Sequence, residues 1–238
     1  MLLIYVTLIK FTYKVVFIYI FIMHKTVKNL IYIEDLIKSK ANHDKLSKII
    51  AVSKTFPIEN ILPLIEHGHL DYGENKVQEA IDKWSAIKNK NNTIKLHLIG
   101  KLQTNKVKFA LRIFDYIHSL DNEKLANKIA DEQIKQGKKP KIFIQVNIAN
   151  ENQKSGINRE RLDDFYKFCK NLNLDIIGTM CIPPNDDNTK KYFSEMNVIN
   201  QELNFQELSM GMSADYLEAI KNNATYVRVG SKIFGNRT

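Results

Sequence analysis

Short apolar runs alternate with amphipathic segments from about residue 23 to the end of the chain. Within the amphipathic segments, apolar side chains recur three and four positions apart, as at Ile58, Ile61 and Ile65, which is the period of a helix with one buried face. The apolar runs are too short for helices and are typical of strands buried on both faces. Eight of them are present, at residues 49–54, 70–74, 95–100, 115–120, 141–148, 174–182, 207–213 and 225–231.

The alternation of strands with helices indicates a parallel sheet, because parallel neighbours need a crossover connection. Eight successive units, preceded by a helix predicted over 27–39, favour an α/β protein with a single (β/α)8 TIM barrel over residues 23–238. An open doubly wound sheet is the alternative. No Gly-x-Gly-x-x-Gly motif follows the first strand, so the dinucleotide-binding form of that sheet loses its main support.

Residues 1–22 differ from the rest of the chain. They are almost entirely apolar and aromatic, and their only charges are Lys10 and Lys14. Two central lysines argue against a clean membrane span, and no small-residue cleavage site follows for a secretory signal. We expect an apolar extension that is either a mis-assigned start, with translation beginning at Met23, or a membrane anchor or targeting segment. For residues 23–238 we expect no membrane association and a cytoplasmic location.

The composition adds a basic balance without a clear nucleic-acid signature. The formal net charge of +9 comes from 35 Lys and Arg against 26 Asp and Glu. A basic protein can bind nucleic acid or anionic phosphates, but lysines scattered along the chain are typical of a solvated surface. We therefore expect no nucleic-acid partner. Cys169 and Cys181 form no metal-ligand or disulfide pattern, so we predict buried packing residues and no metal site.

The first candidate for chemistry lies at the end of the first predicted strand. In a barrel of this class, sites lie at the carboxyl ends of the strands. Side chains alternate along a strand, so Ile50, Val52 and Lys54 share one face, and Lys54 would reach the upper mouth of the barrel. Partial burial there would favour the neutral amine, which is a nucleophile. The alternative is an ordinary strand-end lysine that extends into solvent.

The last two predicted strands carry residues suited to an anion. Arg228 lies between two valines in a strand that should be buried, so it needs an acceptor or a counter-ion. Gly230 would let the backbone approach a ligand, and Ser231 offers a hydroxyl and an N–H. Ser213 is a candidate N-cap whose helix start could also bind an anion. The alternative is a structural pair between the arginine and a carboxylate, followed by a turn glycine.

Further polar residues follow the second and third strands, where a ligand rim is expected. Asn75 comes directly after the second strand, and His97 lies within the third. His97 alone is more typical of a core or rim histidine than of a catalytic base.

The polar residues at the strand ends belong to six short segments that follow one another along the chain. These are Ala-Val-Ser-Lys-Thr at 51–55, Gly-Glu-Asn-Lys-Val-Gln-Glu at 73–79, His-Leu-Ile-Gly-Lys-Leu-Gln-Thr-Asn-Lys at 97–106, Lys-Ser-Gly at 154–156, Ser-Met-Gly-Met-Ser at 209–213, and Arg-Val-Gly-Ser at 228–231 with Ile-Phe-Gly at 233–235.

In this order and spacing, these segments resemble the YggS/PROSC family of pyridoxal phosphate homeostasis proteins. The likeness runs from about residue 28 to the C-terminus. The resemblance implies a barrel of the alanine racemase N-terminal-domain type, which is fold type III of pyridoxal 5′-phosphate (PLP) proteins. It also implies that Lys54 holds the cofactor as an imine, that Arg228 faces the pyridine nitrogen and that Asn75 lies near the ring. The implied phosphate site is formed by Ser209, Ser213, Gly230 and Ser231.

The resemblance favours a carrier over an enzyme. An arginine at the ring nitrogen disfavours its protonation and weakens the cofactor as an electron sink, so transamination is not expected. Racemases of this fold draw a second base from a C-terminal β domain, which we expect this chain to lack. We therefore expect a monomeric PLP-binding protein, with no catalytic residue, that supplies PLP to apo-enzymes through transient contacts. A weak amino-acid racemase and a lysine-imine aldolase are the alternatives.

Overall fold

The computed structural model describes residues 23–40, 46–151, 154–184 and 186–236, and it shows a closed barrel of eight parallel strands. Each strand pairs with its neighbour in chain order, and the first strand closes the barrel by pairing with the last. The extension predicted over 1–22 lies outside the described residues. The strands are β1 Lys48–Val52, β2 Asp71–Glu74, β3 Lys95–Leu98, β4 Tyr116–Leu120, β5 Lys141–Gln145, β6 Asp175–Met180, β7 Glu207–Met212 and β8 Tyr226–Val229.

Within the described residues, one helix precedes the barrel and a helix follows every strand. The helices are α1 Lys25–Lys40, α2 Ile58–Glu66, α3 Val77–Lys90, α4 Val107–Ile113, α5 Glu123–Gln136, α6 Leu162–Asn171, α7 Thr189–Glu202, α8 Tyr216–Lys221 and α9 Ser231–Phe234. The predicted (β/α)8 barrel is therefore confirmed, and all eight predicted runs overlap the observed strands. Several predicted runs extend one to three residues past the observed strand ends, into residues that turn towards the next helix.

The barrel has two separate apolar regions. A small cluster fills its interior, where Ile50, Tyr116, Phe143, Met180 and Tyr226 are buried together. The larger cluster lies between the sheet and the surrounding helices. Because side chains alternate along each strand, neighbours in sequence fall in different regions, and the strands read as nearly continuous apolar runs.

The helix before the barrel completes the outer layer. Four side chains of α1 are buried at helical spacing: Val27, Leu30, Ile33 and Ile37. The helix packs against α2, α8 and α9, and the side-chain amide of Asn29 donates to the carbonyl of Ile233 at 2.9 Å. It therefore covers the seam where β8 meets β1, next to the strand ends that carry Arg228 and Lys54.

Two glycines lie where the sheet could not accept a side chain. Gly178 is inside β6, and a Cβ there would lie 1.8 Å from the carbonyl oxygen of Glu207. Gly211 has φ +84° at the irregular step of the β7–β8 pairing, and a Cβ there would meet that of Ala219 at 2.5 Å. Both positions allow the sheet to pack tightly near the strand ends.

The described helices and cysteines add two further facts. Within the four described ranges, no helix is long and apolar enough to cross a bilayer. Cys169 and Cys181 are both buried, as predicted, and burial raises the pKa of each thiol to about 12. Both thiols are therefore protonated at neutral pH and pack as small apolar groups.

Candidate functional site

A cavity of about 480 Å³ opens at the carboxyl ends of β1, β7 and β8. This volume is within the range of small-molecule sites. Its lining includes six of the seven residues predicted to bind the cofactor: Lys54, Asn75, Ser213, Arg228, Gly230 and Ser231. Two cations and no carboxylate are among its described lining residues. The cavity is therefore suited to an anionic ligand.

Lys54 follows the last residue of β1 by two positions and is half-buried in the cavity wall. The residue before it is held firmly. Ser53 donates from its hydroxyl to Oε1 of Glu74 at 2.8 Å, and its carbonyl accepts from Nζ of Lys83 at 3.0 Å. These contacts fix the backbone that presents Lys54.

Glu74 is the centre of this support. Its side chain is fully buried, and Oε1 accepts bonds from Lys83 at 3.0 Å and from the indole N–H of Trp84 at 3.0 Å, in addition to the Ser53 bond. A buried carboxylate is tolerated only when it is paired and hydrogen-bonded. Neither Lys83 nor Trp84 was assigned to the site from the sequence; a glutamate at the end of a buried strand is the signal that could have indicated partners on α3.

Thr55, on the other side of Lys54, has an unusual backbone. Its φ of +68° lies in the left-handed region, which is rare for a β-branched residue. Its N–H donates to Oε1 of Glu79 at 2.6 Å, and Glu79 is in turn paired with Lys83 at 3.1 Å. Strain of this kind persists only where surrounding contacts hold it. Here it turns the chain sharply just after the candidate lysine.

Arg228 projects into the cavity from β8 and is 4% exposed. Its Nη1 donates to the hydroxyl of Ser209 at 2.7 Å, and its Nη2 donates to the carbonyl of Cys181 at 2.8 Å. Among the described residues, no carboxylate lies within ion-pair distance of this guanidinium. The alternative of a structural arginine–carboxylate pair is therefore wrong for the described part of the chain. Arginine carries five N–H donors, so these two bonds leave donors for a ligand.

The ends of β7 and β8 are joined at the candidate anion site. The hydroxyl of Ser213 accepts from the backbone N–H of Gly230 at 3.1 Å. The predicted N-cap role of Ser213 is wrong, because α8 begins at Tyr216 and Asp215 is its N-cap. After Gly230 the chain enters α9 at Ser231, and the first N–H groups of any helix lack partners within it. Hydroxyl and N–H donors thus lie together on this wall of the cavity.

Asn75 is half-buried in the cavity wall, directly after β2. Its backbone passes close to Gly100, two residues after β3, where a Cβ would lie 2.5 Å from the carbonyl oxygen of Asn75. The absence of a side chain at Gly100 therefore allows the backbone of Asn75 to lie where it does, at the cavity.

Ser209 is the predicted site residue that does not line the cavity. It is fully buried inside the barrel, where its hydroxyl contacts Arg228 and lies 3.0 Å from Nδ1 of His118. His118 was not singled out from the sequence, although a histidine two positions after a buried tyrosine on one strand face was an available signal. His97 is likewise buried and lies in the interior instead of on the rim.

A second and larger groove, of about 1040 Å³, lies at the opposite end of the barrel. It is lined by the first residues of β3 to β5 and by α3 and α4, including Lys95, Asp115 and Lys141. Lys88 on its wall bonds to the carboxylate of Asp115. None of the predicted cofactor residues lines this groove. The smaller cavity at the carboxyl ends of the strands is therefore the candidate site.

Comparison with known proteins gives a consistent result. The sequence profile described as "Alanine racemase, N-terminal domain" matches residues 34–238. A protein of Aquifex aeolicus named "Pyridoxal phosphate homeostasis protein" is 36% identical over 204 residues, which is 82% of this chain and 89% of the relative. The protein of that name from Escherichia coli K12 is 33% identical over 229 residues, which is 90% of this chain and 98% of the relative.

Solved structures agree with these sequence matches. PipY of Synechococcus elongatus PCC7942, solved with PLP bound, superposes with a TM-score of 0.75 at 30% identity, covering 88% of this chain and 100% of PipY. The structure of PipY without PLP gives a TM-score of 0.79 at 31% identity. An alanine racemase of Clostridium difficile 630 gives a TM-score of 0.69 at 16% identity, covering 89% of this chain and 56% of the racemase. That last likeness shows the barrel fold alone.

Proposed function

The chain belongs to the family of pyridoxal phosphate homeostasis proteins, and from this premise we propose that it holds PLP as an imine on Lys54 and takes part in PLP homeostasis. The observation that carries the proposal is the convergence of Lys54, Arg228 and the Ser213–Gly230 pair on one cavity whose described lining has no carboxylate. Each group suits one part of PLP: the lysine amine suits the aldehyde, the guanidinium suits the pyridine nitrogen, and the hydroxyl and N–H donors suit the phosphate. The PLP-bound structure of PipY supports the choice of ligand.

Each of these residues has a definite task. The neutral amine of Lys54 adds to the aldehyde carbon of PLP and one water leaves, so the bond is reversible by hydrolysis. Arg228 donates towards the pyridine nitrogen and keeps that nitrogen unprotonated. The hydroxyls of Ser213 and Ser231 and the backbone N–H of Ser231 would bind the phosphate by hydrogen bonds. Gly230, whose N–H donates to Ser213, would let the backbone approach the phosphate closely. When bound, PLP supplies an electrophilic carbon and a conjugated ring.

The lining of the cavity supports a carrier role. Racemisation at a carbon next to the imine needs proton-transferring groups on both faces of the substrate. Among the described residues that line the cavity, Lys54 and Arg228 are the only titratable side chains, and arginine stays protonated. We propose that the protein stores PLP and delivers it to apo-enzymes without efficient turnover of amino acids. A monomeric state and a cytoplasmic location stay predictions.

A transfer assay tests the carrier proposal. The loaded protein is mixed with an apo form of a PLP-dependent enzyme, and the recovery of enzyme activity is compared with that given by an equal concentration of free PLP. We expect faster or more complete recovery from the loaded protein when a phosphatase that destroys free PLP is present. Recovery no better than with free PLP would remove the delivery role.

A chiral assay tests the enzymatic alternative. The loaded protein is incubated with single enantiomers of alanine and other amino acids, and the opposite enantiomer is measured by chiral chromatography. We expect no enantiomer to accumulate above the level given by the Lys54→Ala variant. Steady accumulation that depends on Lys54 would make the protein a racemase.

A further inference from the structure

A hydrogen-bonded chain runs through the barrel interior from Arg228 to the opposite mouth. Beyond the bond from Arg228 to Ser209, the hydroxyl of Ser209 lies 3.0 Å from Nδ1 of His118. Nε2 of His118 lies 3.0 Å from Nδ1 of His97, and Nε2 of His97 lies 2.9 Å from Oδ1 of Asp71. Asp71 is the first residue of β2, so the chain spans the barrel from the cofactor end to the amino-terminal end.

The two end groups fix the direction of every bond. A guanidinium can only donate and an ionised carboxylate can only accept. Arg228 therefore donates to Ser209, which leaves the proton of the Ser209 hydroxyl for Nδ1 of His118. His118 then carries its proton on Nε2 and donates to His97, and His97 likewise donates from Nε2 to Asp71. This assignment satisfies all the ring nitrogens with two neutral imidazoles.

The surroundings keep both imidazoles neutral. His97 and His118 have no exposed surface, and each ring is stacked on an aromatic ring, His97 on Tyr116 at 4.2 Å and His118 on Phe143 at 4.3 Å between centroids. Burial lowers the pKa of both histidines, although the bond to Asp71 partly offsets this for His97. Burial also raises the pKa of Asp71, but the hydrogen bond from His97 and the electrostatic influence of His97, His69 and Lys48 together leave it below 3.8, so Asp71 is ionised at neutral pH.

We propose that Ser209, His118, His97 and Asp71 are positioning residues that hold Arg228 against the ring of bound PLP through a chain of hydrogen bonds with a single direction. The proposal rests on the proposed function and gives Ser209 a role other than phosphate binding. Because His118 takes the proton of the Ser209 hydroxyl, a lone pair of Ser209 always faces Arg228. Hydrogen bonds in such a chain polarise one another, so the Asp71 carboxylate strengthens the acceptor that Arg228 meets.

A matched pair of variants at His118 tests the positioning role. Asn and Leu have nearly the same shape, but only the Asn oxygen can accept from Ser209 near the original place of Nδ1. We expect His118→Leu to weaken PLP binding about tenfold, because the buried Ser209 hydroxyl loses its acceptor and no longer keeps a lone pair facing Arg228. The absorption maximum of the bound cofactor should also shift. His118→Asn should stay within about threefold of the wild type and keep its absorption maximum.

The direction of the chain is measured separately in the protein without PLP. Nitrogen-15 NMR of histidine-labelled protein distinguishes protonated from unprotonated ring nitrogens, and the His97→Asn and His118→Asn variants assign the signals. We expect both histidines to be neutral and protonated on Nε2 at pH 7. Asp71→Asn keeps an acceptor oxygen but can also donate, so the single tautomer should be lost. Its PLP affinity should fall by up to about threefold, the same limit as for His118→Asn, which also disconnects Asp71 from Ser209.

The outcomes are distinguishable from failure of the proposed function. Equal affinity and equal absorption in His118→Leu and His118→Asn would overturn the positioning role, and so would an Nδ1-protonated histidine in the wild type. If His118→Leu does not fold, two other measurements test the positioning role: the histidine tautomers of the wild type and the PLP affinity of Asp71→Asn. A single Nε2 tautomer in the wild type, together with weaker PLP binding by Asp71→Asn, supports the role. Unchanged PLP binding by Asp71→Asn overturns it. Failure of the wild type to take up PLP would instead contradict the proposed function, while the tautomers would still report the direction of the chain.

Discussion

The carboxylate of Glu79 accepts a hydrogen bond of 2.6 Å from the backbone N–H of Thr55, the residue after the candidate cofactor lysine. Burial raises the pKa of Glu79, but the bonds from Thr55 and Lys83 and the charges of Lys83 and Lys76 together outweigh it, so the pKa lies below the ordinary 4.5. The stabilisation from this contact is thus fully present above pH 4.5 and is lost as the pH falls through the lower folded-state pKa. Helix α3 therefore holds the turn that presents Lys54.

Removing the Glu79 carboxylate should loosen that turn. We expect Glu79→Ala to lower the free energy of unfolding by about 1 kcal/mol and to slow the uptake of PLP, because the Thr55 N–H loses its acceptor. Glu79→Gln keeps an acceptor oxygen and should have a smaller effect on both. Unfolding by urea and the rate of absorbance change on mixing with PLP measure the two quantities. Gln78→Ala, one position earlier on α3, is the control, and an equal effect there would contradict this role.

Relieving the backbone strain at Thr55 should have the opposite effect on stability. Glycine adopts φ +68° without the clash that a Cβ introduces. We expect Thr55→Gly to raise the free energy of unfolding by roughly 1 kcal/mol, since the relief of strain exceeds the added entropy of the unfolded chain. Thr55→Ala retains a Cβ and should give no such gain. A Thr55→Gly variant less stable than Thr55→Ala would show that the positive φ carries no strain.

The buried histidines predict a specific dependence of stability on pH. Burial lowers the pKa of His97 and His118 below the ordinary 6.5, so the unfolded chain binds protons that the folded chain does not. The free energy of unfolding should therefore be unaffected by them above pH 6.5 and should fall below it by about 1.4 kcal/mol per pH unit for each histidine, until the folded-state pKa is reached.

A variant isolates one of these contributions. His118→Asn should reduce the slope between pH 6.5 and 5 by about 1.4 kcal/mol per pH unit, while His67→Asn, at an exposed turn, serves as the control. Urea unfolding at a series of pH values measures the slope. If His118→Asn and the wild type have the same slope, His118 is protonated in the folded protein, and the neutral chain through the barrel is wrong.

The Ser213 hydroxyl should matter for the phosphate and not for the aldehyde. We expect Ser213→Ala to weaken PLP binding by about tenfold, because a hydrogen bond to a charged phosphate oxygen is lost. Binding of pyridoxal, which lacks the phosphate, should be nearly unchanged in the same variant. Absorbance titration measures both affinities. A similar loss for the two ligands would place Ser213 elsewhere in the site.

The sequence was sufficient for the architecture and for most of the cavity. Eight apolar runs along the chain predicted the closed barrel. Because sites in such barrels lie at the carboxyl ends of the strands, the sequence also predicted that Lys54, Arg228 and Ser213 line one cavity. Local chemistry was less predictable. Ser213 is an expected helix cap by residue type, but its hydroxyl bonds to Gly230, because the irregular step in β7 delays the start of α8.

The hydrogen-bonded chain in the barrel interior could not be predicted from the sequence, for a physical reason. Asp71, His97, His118 and Ser209 lie on four different strands, and their contacts depend on the register of the closed barrel. A one-residue shift in any pairing would turn these side chains towards the helices instead. The support of the lysine turn by Glu74 and Lys83 is likewise a contact between a strand and the following helix that spacing alone does not determine.

The most direct test of the account is to reduce the PLP-loaded protein with borohydride and to map the modified peptide by mass spectrometry. We predict an absorption band of the bound cofactor that disappears on reduction, with one reduced pyridoxyl phosphate group on Lys54. Lys76→Arg should behave as the wild type, and Lys54→Arg should stay unlabelled. A protein that takes up no PLP, a label on another lysine, or a trapped sugar or keto acid in place of pyridoxyl phosphate would contradict the central claim.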